Sequence, residues 1–427
     1  MSQRTAKLTY DGGEIELPIV EGVEGDEGID VSKLRAETGM ITLDQGFGNT
    51  ASTRSSVSFV DGAAGELRYR GYAIEDLAEH ATFLEVAYLL FHGELPTPEA
   101  LADYTAAITR HTLLNEEMKR LFDAFPKRAH PMAILSSATN AMATFYPDIH
   151  NPTDPYAVEQ SALRLVAKLP TVAAFAYKKS IGQPYVYPRN ALGYAENFLH
   201  MMFALPVDDY EVDPVVARAL DVLLILHADH SQNCSTSTVR LVGSSRANLF
   251  TSVASGMSAL WGPLHGGANQ RVVEMLNQIN EDGRDYAKYI EKAKDRDDPF
   301  RLWGFGHRVY KNYDPRARIL KSFAHDVMER MGGDDPLLDI ARKLEEAALA
   351  DPFFEERKLY PNVDFYAGLV YRALGFPGKM FTVLFAIGRL PGWIAQWKEM
   401  SEDPETRIGR PRQIYTGYPA REYPTGR

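Results

Sequence analysis

From about residue 74 to residue 400, apolar residues recur at three- and four-residue intervals, the spacing that keeps one face of an α-helix buried. This period predicts helices over 74–92, 97–110, 115–124, 131–145, 158–179, 190–204, 214–229 and 247–260. Gly262-Pro263 breaks the pattern. Helices resume over 269–279, 284–295, 315–331, 335–350, 363–374 and 378–400. Phe381 to Trp397 is apolar nearly all round, so this helix is expected to be buried. The first sixty or so residues behave differently. Apolar and polar residues alternate in Lys7-Leu8-Thr9-Tyr10 and in Ile15-Glu16-Leu17-Pro18-Ile19, with Asp11-Gly12-Gly13 between, which reads as a β-hairpin. Ser55 to Phe59 is a further strand candidate. The charged stretch Asn280 to Asp298 is expected to be a solvated helix and linker. The fold class is therefore mainly α, with a small β-containing N-terminal unit.

With 427 residues the chain exceeds the size at which single cores stop growing, which predicts two or more domains. Hydrophobic residues at 45% and charged residues at 24% are ordinary for a soluble globular protein. Met1 to Glu16 is polar and lacks the apolar core of a signal peptide. No apolar run is long enough to span a bilayer. A single cysteine, Cys234, excludes an intrachain disulfide and a thiolate-rich metal site, and fits a cytoplasmic location. The net charge of −11 repels nucleic acid and anionic membranes, so neither is an expected partner. An anionic ligand would need arginines gathered locally against that field.

Several short segments could gather them. In Gly304-Phe-Gly-His307-Arg-Val-Tyr-Lys-Asn-Tyr-Asp314-Pro315-Arg316, glycines beside His307 let a ligand come close. Asp314-Pro315 is a helix start, which puts Arg316 in a first turn where the macrodipole disfavours a cation. An anionic ligand held jointly by the helix end and Arg316 would compensate. His227 and His230 lie three apart at a helix C-terminus, either as a dipole-stabilised pair or as a metal or carboxylate site. His265, in Gly262-Pro-Leu-His-Gly-Gly267, precedes a helix, where a neutral imidazole could donate to a developing oxyanion; it could equally be a satisfied loop histidine. Asp364, in Tyr360-Pro-Asn-Val-Asp364, is a helix N-cap or a fixed, ionised base. Arg389, within the buried helix, must pair with a carboxylate of the protein or of a ligand. Arg410-Pro-Arg-Gln413 reads as exposed tail charge. Together these suggest a polycarboxylate site.

These contexts resemble the signature of the citrate synthases, from the N-terminal β unit to the C-terminus, and most nearly the hexameric (type II) form of Gram-negative bacteria. The resemblance implies a two-domain multihelical fold: residues 1–60 as the β-containing unit, 61–276 with 387–427 as a large domain, and 277–386 as a small domain that closes over the substrate. It implies condensation of acetyl-CoA with oxaloacetate and water to citrate and CoA, the first step of the tricarboxylic acid cycle. Asp364 would be the base, His265 would stabilise the enol or enolate, and His307 would polarise the ketone. His230, Arg316, Arg389 and Arg410 would hold carboxylates, with Arg410 donated by a neighbouring subunit, and Lys311 would meet CoA phosphates. No metal or other cofactor is implied, and the assembly would be a homohexamer (a trimer of dimers) or a dimer. Arg110, His111, Tyr146, Arg164 and Lys168 could serve an allosteric NADH site. However, Leu113 and Val207 stand where NADH-sensitive members would carry a methionine and a cysteine, which counts against NADH control. A 2-methylcitrate synthase using propionyl-CoA is the alternative, since one methylene changes selectivity by only about 1–3 kcal/mol. A metal-dependent hydrolase on His227, Asp229 and His230, and a non-catalytic anion-binding scaffold, are more distant ones.

Overall fold

The computed structural model describes residues 4–147, 151–330 and 335–423, with backbone alone at 325, 326 and 328. The chain divides into two compact units, one built from residues up to Arg54 with those from Gly409 onward, the other from Ser55–Ile408. In the first, strands β1 (Thr5–Tyr10) and β2 (Gly13–Glu21) form the expected antiparallel hairpin, Tyr10 pairing with Gly13 across Asp11-Gly12. Strand β3 (Glu27–Ile29) adds to the free edge of β2. Alternation turns Ile15 and Leu17 to one face, where they bury a small core with Leu34. Residues 409–423 form no helix or strand and are exposed throughout.

The second unit opens with another antiparallel sheet, β4 (Ser58–Asp61), β5 (Glu66–Tyr69) and β6 (Tyr72–Ala73), and is otherwise helical. The mainly α fold is as the hydrophobic period predicts, with two instructive differences. The stretch 74–92 is two helices, Ile74–His80 and Phe83–His92, because Thr82 caps the second in a capping box with Glu85. A helix at Cys234–Gly243 has no counterpart in the periodic pattern. Its serines and threonines favour caps and turns over helix interiors, and packing against the Leu249–Leu260 helix overrides that preference.

Phe381–Glu402 is the central helix and is buried on nearly every side, as its composition requires. Around it pack the helices Phe83–His92, Pro155–Ile181, Pro214–His227, Cys234–Gly243 and Leu249–Leu260. A second group of helices, Ala268–Glu281, Pro315–Arg330, Pro336–Leu349 and Val363–Ala373, packs mutually. Among the described residues no helix is long and apolar enough to cross a membrane.

Candidate active site

The site begins where the central helix crosses the C-terminal end of Pro214–His227. Two glycines permit the crossing. A Cβ on Gly388 would lie 2.9 Å from His227 Cβ, and one on Gly392 would lie 2.1 Å from Ala228 O. Between them Pro391 interrupts the helical hydrogen bonding, and Gly392 N–H donates across the crossing to Ala228 O at 3.1 Å. Arg389 is thereby carried to a helix C-terminus, where its Nε donates to His227 O at 2.5 Å. The negative end of a helix favours a cation there. Of the two expected partners, a carboxylate of the protein or of a ligand, the protein's described residues supply none in contact. Among the described residues no carboxylate lies within ion-pair distance of it, and a backbone carbonyl takes that place. Burial pulls its pKa down to about 10, with Asp229 and Asp364 acting in the opposite sense.

His227 Nδ1 lies 2.6 Å from Leu223 O. A carbonyl only accepts, so the proton sits on Nδ1, and burial pushes the pKa down to about 3. His227 is thus a neutral core histidine. Asp229 Oδ2 accepts from Ser58 Oγ at 2.5 Å and from Ser231 N–H at 3.1 Å. Those contacts hold Ser231 at φ 52°, an uncommon conformation for a residue with a side chain, and the turn aims His230. The His230 ring lies 5.2 Å from that of His307, and its Nε2 is 3.2 Å from Tyr310 Oη. Burial, reinforced by Arg316, holds its pKa well below the ordinary value.

The segment 304–316 is stapled to the start of the Val363–Ala373 helix. Gly306 N–H donates to Tyr360 O (2.8 Å), Asn362 N–H to Gly304 O (2.9 Å), and Asn362 Nδ2 to Gly306 O (2.8 Å). Gly304, at φ 82°, brings the backbone so close to Phe365 that an added Cβ would be 2.9 Å from its Cα. His307 Nδ1 accepts from Val309 N–H (3.0 Å) and Tyr310 N–H (3.1 Å). Amides only donate, so the neutral ring must carry its proton on Nε2. Burial, then Arg316, pushes the pKa to about 4.

Arg316 is nearly sealed from solvent, and its compensation is internal. Asp314 Oδ1 accepts from both Arg316 N–H and Nε (3.0 Å each), and Oδ2 accepts from Nη2 at 2.8 Å. The same Oδ2 takes Val363 N–H at 3.1 Å. One carboxylate therefore caps the helix, grips the arginine as a fork and ties in the Asp364 helix. No ligand is needed to excuse a cation in that first turn, which corrects the expectation drawn from the dipole alone.

Asp364 is not the N-cap. Asn362 is, its side chain accepting Asp364 N–H at 3.0 Å, and this frees the aspartate. Its Oδ1 is buried without a hydrogen-bond partner. Burial pushes the pKa up to about 6 against the pull of Arg316 and Arg389. His265 Nε2 accepts from Ser235 N–H at 3.2 Å and lies 2.9 Å from Ser235 Oγ. With Nε2 accepting that N–H the proton lies on Nδ1, and burial, then Arg389, pushes the pKa to about 4. Ser235 belongs to the helix that the periodicity misses; its cap, Asn233, accepts both Ser235 N–H (3.1 Å) and Oγ–H (2.8 Å).

His230, His307, Arg316, Arg389, Asp364 and His265 are thus linked through hydrogen bonds, ring contacts and shared fields. Lys311 is exposed, with Nζ 3.4 Å from His307 O. Arg410 is exposed and belongs to the first unit. Elsewhere, Arg164 stacks over Tyr146 at 4.3 Å, and Lys168 donates to His111 O (2.7 Å) and Leu113 O. Arg110 is exposed at the end of its helix. The sequence-based reading passes over Asp314, Tyr310, Ser235 and Asn362 as site builders, and offers Asp229 only as a metal ligand rather than as the group that holds the His230 turn. Asp314 and Asn362 carry cap signatures that flag a hydrogen-bonding role but not what the role positions. Among the described residues no group of three or more His, Cys, Asp or Glu is placed to hold a metal ion.

Helical fold, buried arginines and neutral imidazoles around a carboxylate raised by burial define an enzyme. The "Citrate synthase, C-terminal domain" family matches residues 46–412. The chain is 61% identical over 421 residues to citrate synthase 1 of Mycobacterium tuberculosis, covering 99% of this chain and 98% of the other. It is 56% identical over 418 residues to citrate synthase of Corynebacterium glutamicum, covering 98% and 95%. Citrate synthase from Pyrobaculum aerophilum superposes with a TM-score of 0.83 at 36% identity, over 95% of this chain and 96% of that one. A ternary complex of carboxymethyl coenzyme A and oxaloacetate with citrate synthase from Thermoplasma acidophilum gives 0.80 at 29%, over 90% and 98%. The chain belongs to the citrate synthase family.

Proposed function

We propose that the enzyme condenses acetyl-CoA with oxaloacetate, and hydrolyses the resulting thioester to citrate and CoA, with the following division of labour. Arg316, Arg389 and His230 hold the oxaloacetate carboxylates, and His307 Nε2–H polarises the ketone. Asp364 takes a proton from the acetyl methyl group. His265 Nδ1–H donates to the thioester oxygen as the enolate forms. The enolate carbon attacks the ketone carbon. The oxygen that becomes negative is held by His307 Nε2–H and takes up one proton, in balance with the one Asp364 removed and later releases. Water then cleaves the citryl thioester, its hydroxyl going to the acyl carbon and its proton to the CoA sulfur. A thioester methyl group is too weakly acidic for a carboxylate alone, so donors must already face the oxygen on which charge appears. The observation that carries this reading is the buried, unpartnered Asp364 Oδ1, raised to about 6 within the field of two arginines.

Four finer features belong to the same proposal. Residues 277–386 close over the substrate, which limits wasteful thioester hydrolysis. A neighbouring subunit of a homohexamer or dimer supplies Arg410. The enzyme is cytoplasmic and is not under strong NADH control, given Leu113 and Val207. The deciding experiment is thiol release from acetyl-CoA in the presence of oxaloacetate. A folded sample that releases no CoA would overturn the reading, and a higher kcat/KM for propionyl-CoA would shift it to 2-methylcitrate synthesis.

A further inference from the structure

Glu345 lies on the Pro336–Leu349 helix and is 1% exposed, although no chemical step of the reaction calls on it. Both of its oxygens are engaged. Tyr313 Oη–H donates to Oε1 at 2.5 Å, Tyr366 Oη–H donates to Oε2, and Lys321 Nζ sits 2.7 Å from Oε2. The positions of the two phenols in the chain give the cluster its meaning. Tyr313 directly precedes Asp314, the carboxylate that grips Arg316. Tyr366 lies two residues beyond Asp364, so on a helix it points away from the aspartate, to the opposite face. One buried carboxylate thus ties the back of the segment bearing the electrophile-holding groups to the back of the helix bearing the base. A hydroxyl–carboxylate bond is short and charge-assisted, which makes such a tie stiff as well as strong. Lys321, whose side chain is 45% exposed, offsets the charge from the solvent side and adds little stiffness.

We propose that Glu345 is a positioning residue for the condensation: through Tyr313 and Tyr366 it fixes the distance between the Arg316 arm and Asp364. The inference rests on the catalytic roles assigned above. Proton abstraction and carbon–carbon bond formation need the base and the ketone in register, and a misplacement of about 1 Å can cost on the order of a hundredfold in rate. Oxaloacetate binding is less demanding here, because Asp314 holds Arg316 without help from Glu345.

The test uses the mild variants Tyr313→Phe and Tyr366→Phe and their double variant, with Glu345→Gln as the bolder change. Each Phe variant should lower kcat at saturating substrates by about tenfold, while the oxaloacetate dissociation constant stays within about twofold. The double variant should be little worse than the poorer single, because a brace with one arm cut no longer braces. A purely structural role would lower the melting temperature and leave kcat intact below it. The inference is overturned if both Phe variants, assayed well below their melting temperatures, keep kcat within twofold of the parent. It is also overturned if oxaloacetate affinity falls in step with kcat. Failure of the parent enzyme to release CoA would instead refute the catalytic assignment, so the two failures are distinguishable.

Discussion

Replacing Asp364 with Asn separates the electrostatic strain of the base from its chemistry. Burial raises the carboxyl from 3.8 to about 6. The folded protein therefore holds that proton more tightly than the unfolded chain does. Stability from this group is fully present below pH 4 and is lost as pH rises through 6. About two units at 1.36 kcal/mol each make the ionised folded state weaker by about 3 kcal/mol at pH 8, and by about half that at pH 5. Asn has the same shape and never ionises. Its amide adds a buried donor, which costs about 1–3 kcal/mol, but that cost does not change with pH. Urea unfolding of both proteins at fixed concentration should show the variant gaining about 1.5 kcal/mol on the parent between pH 5 and pH 8. kcat should fall by at least about a hundredfold. A stability difference that stays flat across that range would refute the claim that Asp364 is a desolvated base.

Two further outcomes follow from the geometry. Arg316→Met leaves Asp314 buried without its charge partner, so unfolding should become easier by about 3–5 kcal/mol, and calorimetry should detect no oxaloacetate binding at millimolar concentrations. Gly392→Ala places a methyl group against Ala228 O, and thermal unfolding should show a loss of about 1–3 kcal/mol, with a raised oxaloacetate KM as Arg389 shifts away from the site.

How much of this was legible beforehand is seen best in the Asp-Pro pairs. The sequence has seven, at 154, 213, 298, 314, 335, 351 and 403. In all seven the aspartate accepts the N–H two residues on. Five of those turns continue into helices and two do not. After Asp298, Gly304 soon adopts φ 82°; after Asp403, the chain leaves the end of the central helix. Capping chemistry is local and therefore readable, but propagation depends on an apolar stripe finding a surface to cover. The same limit explains the site. His307, Asp364 and Arg389 stand out one by one, as glycine neighbours, a helix start and a charge in an apolar run. That Asp314 would grip Arg316, or Asn362 would release Asp364, depends on side-chain direction, which residue spacing alone does not carry. Cys234–Gly243 was hidden because its tertiary contacts, not its propensity, make it helical.

The hydrogen bonds that fix His307 and His265 as donors have a consequence for the enzyme in a cell. A neutral imidazole has one lone pair. In His307 it is turned to two backbone amides, and in His265 to the amide of Ser235. Neither nitrogen can coordinate a transition metal without first breaking contacts that shape the backbone. Imidazoles clustered beside a carboxylate would ordinarily scavenge zinc or copper. Here the main chain has already claimed the lone pairs of two of the rings, so an ion seeking His307 or His265 must first undo contacts that shape the backbone.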